Sequence, residues 1–187
     1  MLERKIRVPH FFEVQSGKIT VFICSGYMTR EEGEARVRLT LETLINQWPK
    51  DSHSGFMVHF TNRNWDAISE FSTIDTTELV LGALFAGNYF GNDISVMATI
   101  LLESVEWSDA IKAADNPRIF PIVNANTGEF SGNIRPYNEY YLVAYLANLT
   151  SLANSKAKIC TKFSKDYPNS LCICHSRTTD NFIYRLF

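Results

Sequence analysis

A chain of 187 residues is long enough for one domain with a proper core, and 45% hydrophobic against 20% charged residues excludes a disordered composition. The net charge of −2, with no long basic run, argues against nucleic acid or an anionic membrane surface as partner. The aromatic share of 13% is generous, and both packing and stacking on sugar rings use aromatics this way.

The first 22 residues show no sustained period and read either as a frayed strand or as a leader outside the domain. They carry Glu3, Arg4, Lys5 and Arg7, but Ile19–Met28 is too short and too polar for the apolar core of a signal peptide. No apolar run approaches the roughly 20 residues that span a bilayer, so the expectation is a soluble chain of undecided compartment. Thr29-Arg30-Glu31-Glu32 has capping-box spacing and predicts a helix start. Val37, Leu41, Leu44, Ile45 and Trp48 then form one apolar stripe opposite Arg36, Arg38, Glu42 and Asn46, and Pro49-Lys50-Asp51-Ser52 stops it.

Gly55–Phe60 is apolar and partly alternating, a strand or extended loop, and Asn62–Asp66 reads as a turn. Ser72 caps a second helix whose body, Leu79 to Phe90, is apolar almost all round, as a helix wrapped by neighbours would be. Gly91-Asn92-Asp93 closes it, and Asp93 is the expected cap of a third helix. That helix presents Ile94, Met97, Ala98, Leu101, Leu102 and Val105 and runs to about Ala113. Arg118–Val123 and Glu129–Ile134 flank the turn-rich Asn124–Gly128 and predict a β-hairpin. Pro136 suits a first helical position, and Tyr137–Leu149 makes a fourth, heavily apolar helix. Residues 151–187 are polar and mixed, without an amphipathic stripe, and the chain shows no internal repeat of the kind a helical scaffold would need.

Three carboxylates stand out because each opens a strongly apolar stretch, where a charge costs free energy unless it is paired or used. Asp75 and Glu78, in Ser72-Thr73-Ile74-Asp75-Thr76-Thr77-Glu78, stand three apart and share one helix face. Asp75 also has a structural account as the far half of a capping box with Ser72. Glu78 lies one turn in, just before Leu79, where a surface residue is least expected. Glu139, in Arg135-Pro136-Tyr137-Asn138-Glu139, would be favoured as an anion by the helix dipole. The rings of Tyr137, Tyr140 and Tyr141 would instead desolvate it and favour its neutral form. His59, between Val58 and Phe60, reads as a packed histidine or a site residue, and Trp65 as a loop anchor or a sugar platform. Cys24, Cys160, Cys172 and Cys174 suit neither a disulfide framework nor a standard zinc spacing, despite Cys172-Ile173-Cys174-His175, so no metal is expected. Asn148-Leu149-Thr150 fits a glycosylation sequon only within an apolar helical pattern.

Gly26-Tyr27-Met28-Thr29-Arg30-Glu31-Glu32, Gly55-Phe56-Met57-Val58-His59-Phe60, Glu70-Phe71-Ser72-Thr73-Ile74-Asp75-Thr76, the run Leu81–Phe90 and Tyr137-Asn138-Glu139 follow one another in an order that resembles the glucoamylase-like family. That family includes bacterial endo-β-1,2-glucanases of glycoside hydrolase family 144, and related domains occur in cyclic β-1,2-glucan synthases. The resemblance covers about residues 26–148. It divides the chain into a leader (1–22), a partial glucoamylase-like domain (23–150) and a divergent tail (151–187).

The resemblance implies an all-α chain forming part of an (α/α)6 toroid of inner and outer helix pairs, with a short β-hairpin between helices. It implies hydrolysis of a β-glucan, β-1,2-linked, with no cofactor. Asp75, Glu78 and Glu139 match the acidic residues lining the family's cleft; His59, Trp65, Tyr137 and Asn138 are the expected sugar contacts. In this reading Glu139 protonates the glycosidic oxygen and Asp75 or Glu78 activates water, directly or through a relay. A full toroid needs about twelve helices and four or five are legible, which suggests a truncated chain, self-association through exposed inner helices, or a non-catalytic fragment that binds carbohydrate.

Overall fold

A computed structural model describes residues 6–7, 23–111, 119–132 and 140–150 of the chain. Helix α1 spans Arg30–Asn46, and the expected capping box is formed at its start. The Glu32 N–H donates to Thr29 Oγ1 at 3.1 Å and the Thr29 N–H donates to Glu32 Oε2 at 2.9 Å, so two end donors are satisfied reciprocally. Gly33, Val37, Leu41 and Leu44 face inward, while Arg36, Glu42 and Asn46 face solvent. Trp48 lies beyond the helix end yet stays buried, its indole N–H donating to the Val58 carbonyl at 3.2 Å.

Helix α2 spans Thr73–Phe90. Leu79, Val80, Ala83, Ala86 and Phe90 are buried, and Leu81, Leu84 and Tyr89 are partly buried against the same core, so the helix is wrapped as its composition predicts. Gly91, at φ +77°, ends it, a backbone setting that suits glycine. Helix α3 (Asn92–Glu103) folds straight back along α2. Gly87 permits the approach: a Cβ there would stand 3.0 Å from Ser95 Cα and 3.3 Å from Ala98 Cβ.

Two expectations for α3 fail. Asp93 makes no cap; it pairs with Arg38 of α1 at 3.1 Å, and Arg38 is held in turn by Glu34 at 3.0 Å. The helix also stops at Glu103 instead of near Ala113, because tertiary bonds outcompete helical ones there. The Glu106 N–H donates to the Ser54 carbonyl, and Trp107 begins a 3₁₀ turn (Trp107–Ala110) with its ring against Phe56 and its indole N–H on the Leu102 carbonyl. Helix α4 (Tyr140–Thr150) packs Val143, Leu146 and Ala147 against this turn and α2.

The described residues are helix-rich, and among them two small antiparallel sheets brace the helices. Strand β1 (Ile6–Arg7) pairs with β2 (Phe60–Thr61), so the leader contributes a strand. Strands β3 (Phe71–Ser72), β4 (Ile122–Val123) and β5 (Phe130–Ser131) form a second sheet, with Phe71 opposite Val123 and Val123 opposite Phe130. β4 and β5 are the expected hairpin. Val58 bridges to Phe71, which joins the Gly55–Phe60 segment to this sheet.

Gly55 has φ +76°, and the Ser104 carbonyl stands where its Cβ would be. Gly55→Ala therefore adds left-handed strain to a backbone clash and is expected to cost at least about 2 kcal/mol. A lower urea midpoint at unchanged slope checks this.

Candidate active site

The N-terminus of α2 is held by polar side chains. The Ser72 hydroxyl accepts from the Asp75 N–H at 3.2 Å. Thr73 Oγ1 donates to the Phe120 carbonyl at 2.7 Å, and Thr76 Oγ1 donates to the Ser72 carbonyl at 2.6 Å while accepting from the Met57 N–H at 2.9 Å. The other half of the capping box is missing. The Ser72 N–H donates to the Met57 carbonyl at 2.9 Å, and the Asp75 carboxylate turns away toward His59.

His59 reaches Asp75 from the neighbouring extended segment. Its own N–H donates to the Glu70 carbonyl at 2.9 Å, which sets residues 59 and 70 side by side across the Asn62–Asp66 turn. His59 Nδ1 lies 3.2 Å from Glu70 Oε1, and Nε2 lies 3.6 Å from Asp75 Oδ2. The ring stacks on Phe60 with centroids 4.0 Å apart. Side-chain exposure is 13% for Asp75, 19% for His59 and 39% for Glu70, so the cluster grades from the interior outward. Nε2 is buried and finds no hydrogen-bond partner among the described residues.

Glu70 was not among the residues singled out from the sequence, although it opens one of the motifs. The turn at 62–66 between two extended segments was the available clue, since a hairpin-like return places 59 opposite 70. Burial pushes the Glu70 carboxyl up, but its own backbone N–H and the His59 ring beside it outweigh this and leave it below the usual glutamate value.

Glu78 is half-buried one turn along α2. Trp65, at φ +66°, is half-buried with its ring edge-on to Trp48 at 5.4 Å, and the turn around it is tied by Asn62 Oδ1, which accepts from the Asn64 and Asp66 N–H groups. Tyr137, Asn138 and Glu139 lie outside the described residues, as do Pro136, Cys160, Cys172, Cys174 and the side chain of Asn148. Cys24 is exposed and free. Among the described residues no group of three or more His, Cys, Asp or Glu side chains is placed to hold a metal ion, and no helix is long and apolar enough to cross a membrane.

Beside Glu70 lies an open cavity of about 430 Å³, lined by Ser69, Glu70, Ile122, Asn124, Asn126 and Ser131. Amides, hydroxyls and one carboxylate on its rim suit a ligand rich in hydroxyl groups.

No protein-family model matches the sequence, and no curated protein matches it. Solved structures do match. A candidate glucoamylase from Bacteroides uniformis shares 22% identity over 76% of this chain and 37% of its own, at a TM-score of 0.64. A second, from Bacteroides caccae, shares 21% over 77% and 37%, at 0.62. An endo-β-1,2-glucanase from Chitinophaga pinensis, solved with sophorotriose and glucose, shares 16% over 87% and 41%, at 0.68. The expected glucoamylase-like relationship is thus shown in the fold. The chain spans about two fifths of the length of these structures.

Because the folded-state carboxyl of Glu70 sits below its ordinary value, its ionised form stabilises the fold above the unfolded-state value and loses that effect as pH falls through the folded one. The stability advantage of the wild type over Glu70→Gln is therefore expected to be full near neutrality and to shrink below about pH 4.5. Urea melts of both proteins across that range test the sign.

Proposed function

We propose that this chain is a glycoside hydrolase acting on a β-glucan, with the β-1,2 linkage as its substrate, and that α1–α4 are part of an (α/α)6 toroid. The observation that carries the reading is the Asp75 carboxylate: it stands at the start of a buried helix, is not consumed by capping, and faces a histidine held by a second carboxylate. The likeness in fold to a sugar-bound endo-β-1,2-glucanase supplies the substrate class.

In this reading Glu139 protonates the leaving glycosidic oxygen and Asp75 or Glu78 activates water on the opposite face of the sugar. The outcome is inversion, for which the acid and base stand roughly 6.5–9.5 Å apart. His59, Trp65, Tyr137 and Asn138 are assigned to the sugar-binding surface.

A second reading keeps the sugar and omits turnover: the polar cavity beside Glu70 suits sugar hydroxyls whether or not a bond is broken. Soluble β-1,2-glucan separates the two. The hydrolase reading expects reducing ends from the wild type and a loss of at least about 100-fold in Glu139→Gln and Asp75→Asn, with melting temperatures kept. Thermal stabilisation by the glucan without reducing ends would establish the binding module, and unchanged turnover in Glu139→Gln would remove that residue from the acid role.

A further inference from the structure

The cavity beside Glu70 has two walls of different origin. One is the segment from Ala67 to Glu70, and the other is the β4–β5 hairpin, through Ile122, Asn124, Asn126 and Ser131. The hairpin is held from behind. The Thr73 N–H and Oγ1 donate to the Pro121 and Phe120 carbonyls at 3.0 and 2.7 Å, β4 pairs with β3, and the Phe130 ring of β5 meets those of Phe56 and Phe120. At its tip, Asn124 Oδ1 accepts from the Asn126 and Thr127 N–H groups at 2.8 and 3.2 Å. Two backbone donors at one end of the carboxamide fix that end as oxygen, so the Asn124 amide nitrogen keeps both of its donors. It has no hydrogen-bond partner among the described residues, and neither have the side chains of Asn126 and Ser131.

These groups define a ligand by its chemistry. The volume of about 430 Å³ falls within the roughly 300–1,000 Å³ of small-ligand pockets. Glu70 is the one charged residue on the lining; it repels an anion, and a cation finds no second carboxylate there. Amide donors opposite a carboxylate acceptor suit a neutral saccharide, whose hydroxyls both donate and accept. Glu70 turns Oε1 toward His59 at 3.2 Å, and the lone pairs that remain on a carboxylate can accept from a sugar hydroxyl. Ile68, 42% exposed, and Ile122 offer apolar surface to the C–H face of a sugar ring. We propose that this cavity is a second sugar subsite, in which Asn124, Asn126, Ser131 and Glu70 hold a glucose unit of the chain other than the one at Asp75. This subsite, which rests on the β-glucan reading, does not include Asp75 and is joined to it only through Glu70 and His59. It therefore adds binding without touching the bond that breaks, and the hairpin sets how tightly a longer saccharide is held.

Titration of the whole chain with sophorotriose and longer β-1,2-gluco-oligosaccharides tests this, followed by backbone amide NMR and calorimetry. The wild type is expected to show saccharide-dependent shifts at Ser69, Asn124, Asn126 and Ser131. The double variant Asn126→Ala/Ser131→Ala removes two exposed side chains that bond nothing else among the described residues. Its melting temperature stays with the wild type while Kd rises at least about fivefold, as two lost hydrogen bonds predict. In turnover, KM rises by a similar factor and kcat stays within about twofold, the mark of binding made equally in ground and transition states. Unchanged affinity in the double variant, or a wild type that binds without shifts at those four residues, overturns the subsite and leaves the β-glucan reading in place. A wild type that neither binds nor cleaves these saccharides overturns both. Binding at the hairpin without cleavage upholds the subsite and removes the hydrolase reading.

Discussion

The hydroxyl of Thr76 ties the first turn of α2 to the segment that precedes it. It donates to Ser72 within the helix and accepts from the Met57 N–H outside it, so one oxygen joins the helix to a buried backbone donor of the preceding segment. Thr73 adds a second tie, its hydroxyl donating to the Phe120 carbonyl on the hairpin side. A helix as apolar as α2 would slide or rotate in a greasy core without directional bonds, because dispersion contacts set no register. These bonds fix its rotation, and hence the direction in which Asp75 projects.

That constraint explains why Asp75 is free for other work. A capping box would use both side chains locally, with Ser72 and Asp75 each answering the other's backbone N–H. Here Met57 takes over one half by accepting from the Ser72 N–H, so the carboxylate is released toward His59. Tertiary hydrogen bonding has replaced a local one and liberated a charge at a helix N-terminus, where the dipole tolerates it.

Features that rest on local chemistry were legible in the sequence. The box at Thr29 and Glu32, the apolar face of α1, the wrapped body of α2, its glycine stop and the hairpin around Asn124–Gly128 all follow from contacts within a few residues. Features decided by distant partners were not. Nothing near Ser104 announces that Ser54 will take the Glu106 N–H and end α3, and nothing in Asp93 announces Arg38 on another helix. At the candidate site, Asp75 and His59 stand out through their motifs, whereas Glu70 does not, because its contact exists only when the chain returns alongside His59. Sequence spacing placed Asp75 and Glu78 on one helix face; it could not show which of them a histidine would meet.

The gradation of exposure across the three side chains gives the cluster a direction. Asp75 is the most buried, and Glu70, at the rim of the polar cavity, is the most exposed. Charge at the outer end is stabilised by water and by the groups that donate to Glu70, which hold its carboxyl below the usual glutamate value. A hydroxyl in the cavity that competed for Glu70 would weaken its contact with His59 Nδ1. The rim of the cavity and the Asp75 carboxylate are thus linked through one imidazole ring, whose two nitrogens face different carboxylates.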